Sequence, residues 1–430
     1  MNDDRLVRTL TLWPAVGLAI TLVIGGGILV IPGLAYDRSG AAAVWSWVLA
    51  AGVTAPLLVI VADLGSRFPN AGGIAGFVEP TLGKGAARVA QFLLLAAMTG
   101  GAALCVVGGD LVGDWVGTDR VVLPTACAVL GIAVGVAMRG TEFAGTGLKV
   151  LSAIFVMGLA IIGVAGAVAG HHGVGNPSLG DIASGIDGLG LVFFAFVGWE
   201  MMATMTEEFL EPRRDFPRTI AISFVVVSVA YLAVALAVQR SLAADDPAVL
   251  TSPVASVAEV LWGGLGRSVV TTVGLAIVMT NVVGVVIAFS RVVYATARAR
   301  LLPARLTVTD RRGTPTTAIA ATGSVFAAGI LLEQAGVVDQ ATLFELAASA
   351  FFASFVLAAC AYIAANTSPR RYFGVIALVI SVVALGSLRW FALYPVAVAS
   401  VALLTSRRTP RQPSSSMIKG AALPKEERRP

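Results

Sequence analysis

Residues 21–35 read TLVIGGGILVIPGLA. Apolar residues flank Gly25, Gly26 and Gly27 on both sides, and Pro32 follows within two turns. A glycine costs a helix about 1 kcal/mol relative to alanine, and a proline removes a backbone donor. The stretch is apolar enough to enter a membrane and too rich in helix breakers to stay wound at its centre. Backbone groups freed at membrane depth are tolerated only against protein or a water-filled cavity. These residues therefore predict a membrane helix that unwinds at Gly25–Gly27 beside a cavity.

The rest of the chain is of the same kind. Of its 430 residues, 57% are hydrophobic and 13% charged, against about 25% charged in a soluble domain. Several uncharged blocks exceed the ~18 residues needed to cross ~30 Å of hydrocarbon. This composition excludes a soluble enzyme, a nucleic-acid-binding module and a disordered chain. Twelve spans are predicted, at 12–36, 41–63, 88–112, 121–138, 149–170, 188–210, 218–239, 268–297, 315–334, 341–365, 372–388 and 390–406. The polar stretch 241–265, with Asp245, Asp246 and Pro253, reads as a loop carrying a short helix. The polar start MNDDRLVRTL, followed by a long glycine-broken block, does not read as a cleavable signal.

Charge fixes the expected orientation. On the twelve-span reading, 24 of the 30 Lys and Arg fall on one side, five fall on the other, and Arg291 lies inside a span. Basic loops stay cytoplasmic, so both termini are expected there, in a multi-pass protein of the cell (inner) membrane. Residues 1–11 form the cytoplasmic N-terminus. Residues 12–406 are expected to form one twelve-helix membrane domain, with candidate repeats at about 12–170 and 188–365 followed by helices 11 and 12. Residues 407–430 form a disordered basic tail, whose seven basic and two acidic residues account for the whole net charge of +5. Cys105, Cys127 and Cys360 sit in apolar blocks and read as buried thiols. Gly131 and Gly135, in GIAVG of span 4, read as small residues for close helix packing.

A second break is expected in span 6. Residues 190–209 read GLVFFAFVGWEMMATMTEEF, with Gly198 central and Trp199 and Glu200 after it. An ionisable residue at mid-membrane is a functional candidate by default. The two breaks are five spans apart, and an odd offset makes any repeat inverted. Paired interrupted helices in inverted halves point to a transporter site. The turn after Gly27 offers N–H groups to a carboxylate. Carbonyls freed around Phe194 to Val197 would accept from an ammonium group. An α-amino acid carries both groups on one carbon.

At these residues the chain resembles the amino acid–polyamine–organocation (APC) permeases, and the likeness extends over essentially all twelve spans. IGGGILVIPG from Ile24 is similar to the family's glycine motif in span 1. SRFPNAGGIAGFV from Ser66 is similar to its loop after span 2. FVGWE from Phe196, continuing into EEFLEPRRDFPRTI, is similar to its span 6 and exit, and SRVVYATARARLLPARL from Ser290 to its span 8 exit. The resemblance implies an all-α integral membrane fold of twelve helices in a 5+5 inverted repeat, with helices 1 and 6 discontinuous. It also implies alternating access and a site between spans 1, 3, 6, 8 and 10. MRGTEF from Met138, with the span 6 run, looks most like the branch exporting methionine and branched-chain amino acids.

Carried over residue by residue, Val23, Ile24, Gly25, Gly26, Gly27 and Ile28 would line the carboxylate side. Phe194, Ala195, Val197 and Gly198 would line the ammonium side, with Phe194 standing where the family often has an aromatic gate. Trp199 and Asn281 are further cavity candidates, and Trp199 can equally face lipid or a neighbouring helix. Span 5, LSAIFVMGLAIIGVAG, lacks the mid-span lysine of some relatives, and Ser290 is a lone hydroxyl in its part of span 8. That leaves Glu200 as the coupling candidate, with the proton as its ion. Asp63 and Glu345 read as interfacial. No residue is read as catalytic, and no metal site or cofactor is expected; His171 and His172 lack a third ligand. The expected partners are an amino-acid substrate, protons and the lipid bilayer, with no nucleic acid, in a monomer or homodimer. The alternatives are an exchanger or uptake permease for other amino acids or amines, a non-transporting sensor on the same fold, and a light chain for a glycoprotein partner.

The charge asymmetry gives a direct test. A cysteine at position 245 should react with an impermeant reagent from outside intact cells, and cysteines at 310 and 420 only after permeabilisation. Labelling at 245 from the cytoplasm alone would contradict the twelve-span orientation.

Overall fold

Inside hydrocarbon a chain must satisfy its backbone hydrogen bonds within itself, which leaves helices or closed barrels. The computed structural model describes residues 10–67, 73–139, 146–173, 179–204, 206, 209–311, 313–367 and 369–406. Every regular element among them is helical; the single β feature is a bridge between Leu10 and Phe209. Seven helices are long and apolar enough to cross a membrane, and four shorter apolar helices accompany them. The expected tail 407–430 and the segment 1–9 lie outside the described residues.

The first predicted span is three pieces. Helix α1 (Leu12–Val23) ends at Ile24, a 3-10 turn covers Gly26–Leu29, and α2 (Ile31–Ser39) continues with Pro32 in its first turn, where a missing N–H costs nothing. Helix α3 (Ala43–Arg67) follows. Helix α4 (Gly73–Ala96) bends at Gly83, whose φ is 84°, so the segment expected as a loop after span 2 contains a helix. Span 3 is completed by α5 (Thr99–Val116), after a turn at Ala97–Met98. Then come α6 (Val122–Met138) and α7 (Thr146–Ala169).

Span 6 is also broken. Helix α8 (Leu179–Gly185) leads into α9 (Leu189–Ala195), the chain leaves helical geometry at Phe196–Gly198, and α10 (Trp199–Thr204) resumes. Gly198 has φ 127°, a conformation that side chains rarely adopt. Helix α11 (Pro212–Ser241) carries span 7. Of the stretch 241–265, expected as a loop with a short helix, 242–252 holds α12 (Ala248–Thr251), while the chain from Pro253 onward is helical. Helix α13 (Pro253–Arg298) turns at Gly263, φ 66°, between a loop-side run and span 8. Helices α14 (Thr316–Gln334), α15 (Gln340–Ala365), α16 (Arg371–Ser387) and α17 (Leu393–Ser406) complete the chain.

The core gathers around the broken helices. Helix α11 packs on α1, α3 and α7, and α15 packs on α3, α4, α5, α9 and α16. The last helices stay at the edge: Ile376, Val379, Val383 and Leu404 are among the large apolar side chains left exposed, as a hydrocarbon solvent allows. Gly131 and Gly135 are not close-packing positions. A methyl at either would meet nothing within 4 Å, so the expectation for span 4 is corrected.

Candidate functional site

The backbone shows how the first break is made. Ile24 N–H still reaches Ile20 O at 2.8 Å in the helical pattern, but Gly25 N–H turns back to Val23 O at 2.9 Å. Bonding then becomes i to i−3, with Ile28 N–H to Gly25 O at 3.4 Å and Val30 N–H to Gly27 O at 3.2 Å. Gly26 and Gly27 therefore open a new turn. In the second break Phe196 N–H donates to Phe193 O at 2.9 Å and Val197 N–H to Phe194 O at 3.1 Å, before the positive φ of Gly198.

One side chain joins the two breaks. The hydroxyl of Tyr231, on α11, lies 2.9 Å from Val23 O and 3.1 Å from Ala195 O. A phenol carries one proton, so the two carbonyls share it. Tyr231 is fully enclosed, with Trp47 and Phe196 edge-on at ring separations of 5.4 and 5.3 Å. It brings the last carbonyl of α1 and the last carbonyl of α9 to one atom. The sequence reading passed over it as one aromatic in the apolar run SFVVVSVAYLAVALAV. Its hydroxyl is one of three in that run, with Ser223 and Ser228, and nothing in the sequence sets it apart.

The predicted residues collect around this junction. Val23, Ile24 and Ile28 are buried, as is Ala195; Phe194 and Val197 are half-buried. Asn281 on α13 lies against the first break: a methyl on Gly25 would stand 2.7 Å from its side-chain oxygen and nitrogen. A methyl on Gly26 would stand 2.8 Å from Val278 Cγ2. The glycines thus serve both unwinding and close packing against α13. Phe194 approaches the same break, with its Cδ1 4.0 Å from where a methyl on Gly27 would lie, and its ring sits 4.7 Å from that of Phe344 on α15. Trp199 does not face lipid. It is 1% exposed and meets Phe224 at 6.3 Å. The side chain of Glu200 lies outside the described residues, as do Glu207 and Glu208.

Polar contacts tie the helix ends beyond the junction. Glu345, expected near a span end, is enclosed by protein. Its side chain is 3% exposed and pairs with Arg38 at the end of α2. Gln340, one turn earlier, donates to Asp110 on α5 at 2.9 Å. Arg267 bonds Asp114 and Glu259, each at 2.5 Å, and Ser252 also bonds Asp114, which fixes the loop-side run of α13 to α5. At the far end of α3, Arg67 pairs with Asp63, bonds Asn366 at 3.0 Å and lies 5.6 Å over the Tyr362 ring. No group of three or more metal-ligating side chains occurs among the described residues.

A helical membrane chain whose two interrupted helices end at one buried hydroxyl is built as a transporter rather than an enzyme. Residues 10–416 match the family described as amino acid permease, and the chain belongs to that family. It is a multi-pass membrane protein and an amino acid transporter of the APC type. It is 27% identical to the uncharacterized amino acid permease YecA of Bacillus subtilis over 421 residues, covering 92% of this chain and 95% of that one. It is 28% identical over 230 residues to the L-methionine/branched-chain amino acid exporter YjeH of Escherichia coli, covering 53% of this chain and 55% of the relative. It is also 28% identical over 380 residues to cationic amino acid transporter 3, mitochondrial, of Arabidopsis thaliana, covering 80% and 61%.

Tyr231→Phe keeps the ring and removes the donor. An unsatisfied buried carbonyl costs about 1–3 kcal/mol. The variant should lower the melting temperature of the purified protein and slow transport at saturating substrate. An unchanged melting temperature together with an unchanged rate would show that the hydroxyl does not hold the breaks.

Proposed function

We propose that this transporter carries neutral, apolar amino acids, methionine and the branched-chain amino acids among them, by alternating access between two inverted five-helix repeats. The carrying observation is the Tyr231 hydroxyl held between Val23 O and Ala195 O. One atom reaches the ends of both interrupted helices, so a small zwitterion can meet both breaks at once. In this reading the amides that open the turn at Gly26 and Gly27 take the carboxylate. Carbonyls between Phe194 and Val197 take the ammonium group. Val23, Ile24, Ile28, Phe194, Ala195 and Val197 offer apolar surface to the substrate side chain.

A cationic side chain would need a carboxylate of its own. The acidic residues tied into the neighbouring helices are engaged: Asp110 with Gln340, Glu345 with Arg38, Asp114 with Arg267. That supports the neutral substrate over the cationic substrates in the name of the Arabidopsis relative. The direction of flux is taken as export, by likeness to the E. coli relative, with both termini cytoplasmic and Glu200 as the proton-exchanging group. Gln has the shape of Glu and cannot titrate, so it separates binding from coupling.

The test uses vesicles of the purified protein loaded with labelled methionine, leucine or arginine. Methionine and leucine should leave faster than arginine and should be driven by a pH gradient. Glu200→Gln should keep methionine–methionine exchange and lose the pH-driven net flux. Preference for arginine would overturn the neutral reading, and undiminished pH-driven flux in the variant would remove Glu200 from the coupling step.

A further inference from the structure

Two adjacent glycines in α5, Gly100 and Gly101, each accept an aromatic ring from another helix. They follow the turn at Ala97–Met98, where Met98 N–H bonds Leu95 O at 3.1 Å, Gly100 N–H bonds Ala97 O at 3.2 Å and Gly101 N–H bonds Met98 O at 3.0 Å. Both are buried. A methyl on Gly101 would stand 2.6 Å from Phe326 Cε1, and Phe326 is fully enclosed. That seat is packing. The seat at Gly100 is different. Its ring belongs to Phe194, which is half-buried and reaches across to the first break.

The surroundings of the Phe194 ring fix where it can go. A methyl on Gly100 would stand 2.6 Å from Phe194 Cζ and 3.2 Å from Ala347 Cβ, whereas ordinary contact begins at 3.4 Å. The ring would have to retreat from α5 by about 1 Å. Ala347 and Phe344 of α15 are both fully buried and hold the α15 side. Towards Gly27 the ring edge lies 4.0 Å from the position of a methyl on that glycine, a position that Ile31 Cδ1 approaches to 3.0 Å. A ring pushed off α5 and held on the α15 side is driven towards Gly27 and the Ile31 side chain.

We propose that Gly100 is a specificity-determining residue: its missing side chain seats the Phe194 ring against α5, and the depth of that seat sets the size of amino-acid side chain accepted beside Gly27. This deepens the transport reading above and rests on it. Gly100 acts through Phe194 and makes no claim on the carboxylate or ammonium group, so its effect scales with the substrate's side chain.

Gly100→Ala, Phe194→Leu and the double variant are to be purified, checked by melting temperature, and compared in vesicles for kcat/KM towards alanine and leucine. One methylene in an apolar pocket is worth about tenfold or more in discrimination. Gly100→Ala should lower the leucine-to-alanine ratio by about that factor, and adding Phe194→Leu should restore most of it. A ratio unchanged in Gly100→Ala, or one that the second substitution does not restore, overturns the proposal. Should Gly100→Ala fail to fold, Phe194→Leu alone carries the test: it must raise the leucine-to-alanine ratio, and an unchanged ratio overturns the proposal. Wild-type vesicles that carry neither amino acid would instead overturn the neutral-substrate reading beneath it.

Discussion

A carbonyl released from a helix inside hydrocarbon must find a donor or be lost at a cost of several kcal/mol. This protein releases carbonyls in two helices and answers both with one phenol. Tyr231 meets Val23 O and Ala195 O, and Trp47 and Phe196 close round its ring. Because the hydroxyl belongs to α11, which packs along α1, α3 and α7, the two interruptions are fixed relative to that helix and to each other. The glycine turn follows closely on Val23, Phe194 directly precedes Ala195, and Asn281 of α13 packs on Gly25 beside them.

The two halves of the first broken helix have separate anchors. Before the break, Leu10 pairs with Phe209, and Leu210 N–H donates to Leu10 O at 3.1 Å, tying the start of α1 to the chain beyond α10. After the break, α2 is held by the Arg38–Glu345 pair and by the backbone of α12, whose Val249 carbonyl occupies the space a side chain on Gly33 would need. Helix α12 is in turn secured through Ser252 and Arg267 to Asp114 of α5. The region between Gly25 and Val30 is thus bounded by two firmly attached segments, and it is where their relative movement can be absorbed.

The breaks were legible because glycine and proline state a backbone preference locally: Gly25–Gly27 and Gly198 mark the sites where helical bonding stops. The polar stretch 241–265 was legible only in its first part: the short helix α12 is there, but from Pro253 onward the chain is wound into α13. Tyr231 was not legible, since its partners are carbonyls 208 and 36 residues away and a carbonyl has no letter in a sequence. The partner of Glu345 was not legible either, because Arg38 lies 307 residues distant in the chain. Glycine itself misled in one case. Gly131 and Gly135 have the spacing of a packing motif, yet a methyl at either would meet no described atom within 4 Å, while Gly25 and Gly26, read mainly as breakers, are pressed against Asn281 and Val278. Spacing shows which residues share a helix face, and only the neighbouring helix decides what that face meets. The turn at Ala97–Met98 was not legible because no glycine or proline stands at it; Gly100 and Gly101 come only after it.

The central claim is that the two interruptions together read the two charged groups of an α-amino acid. Equilibrium binding to the purified protein can test it with three ligands that share one side chain: leucine, leucinol, which lacks the carboxylate, and 4-methylpentanoate, which lacks the ammonium group. A site built to bond a group rejects the analogue lacking it far more strongly than a mismatch in apolar size would, by a factor of about 10⁴. The account predicts that both analogues bind at least about a hundredfold more weakly than leucine. Binding of either analogue as tightly as leucine would contradict it, and would leave one of the two breaks without a ligand to read.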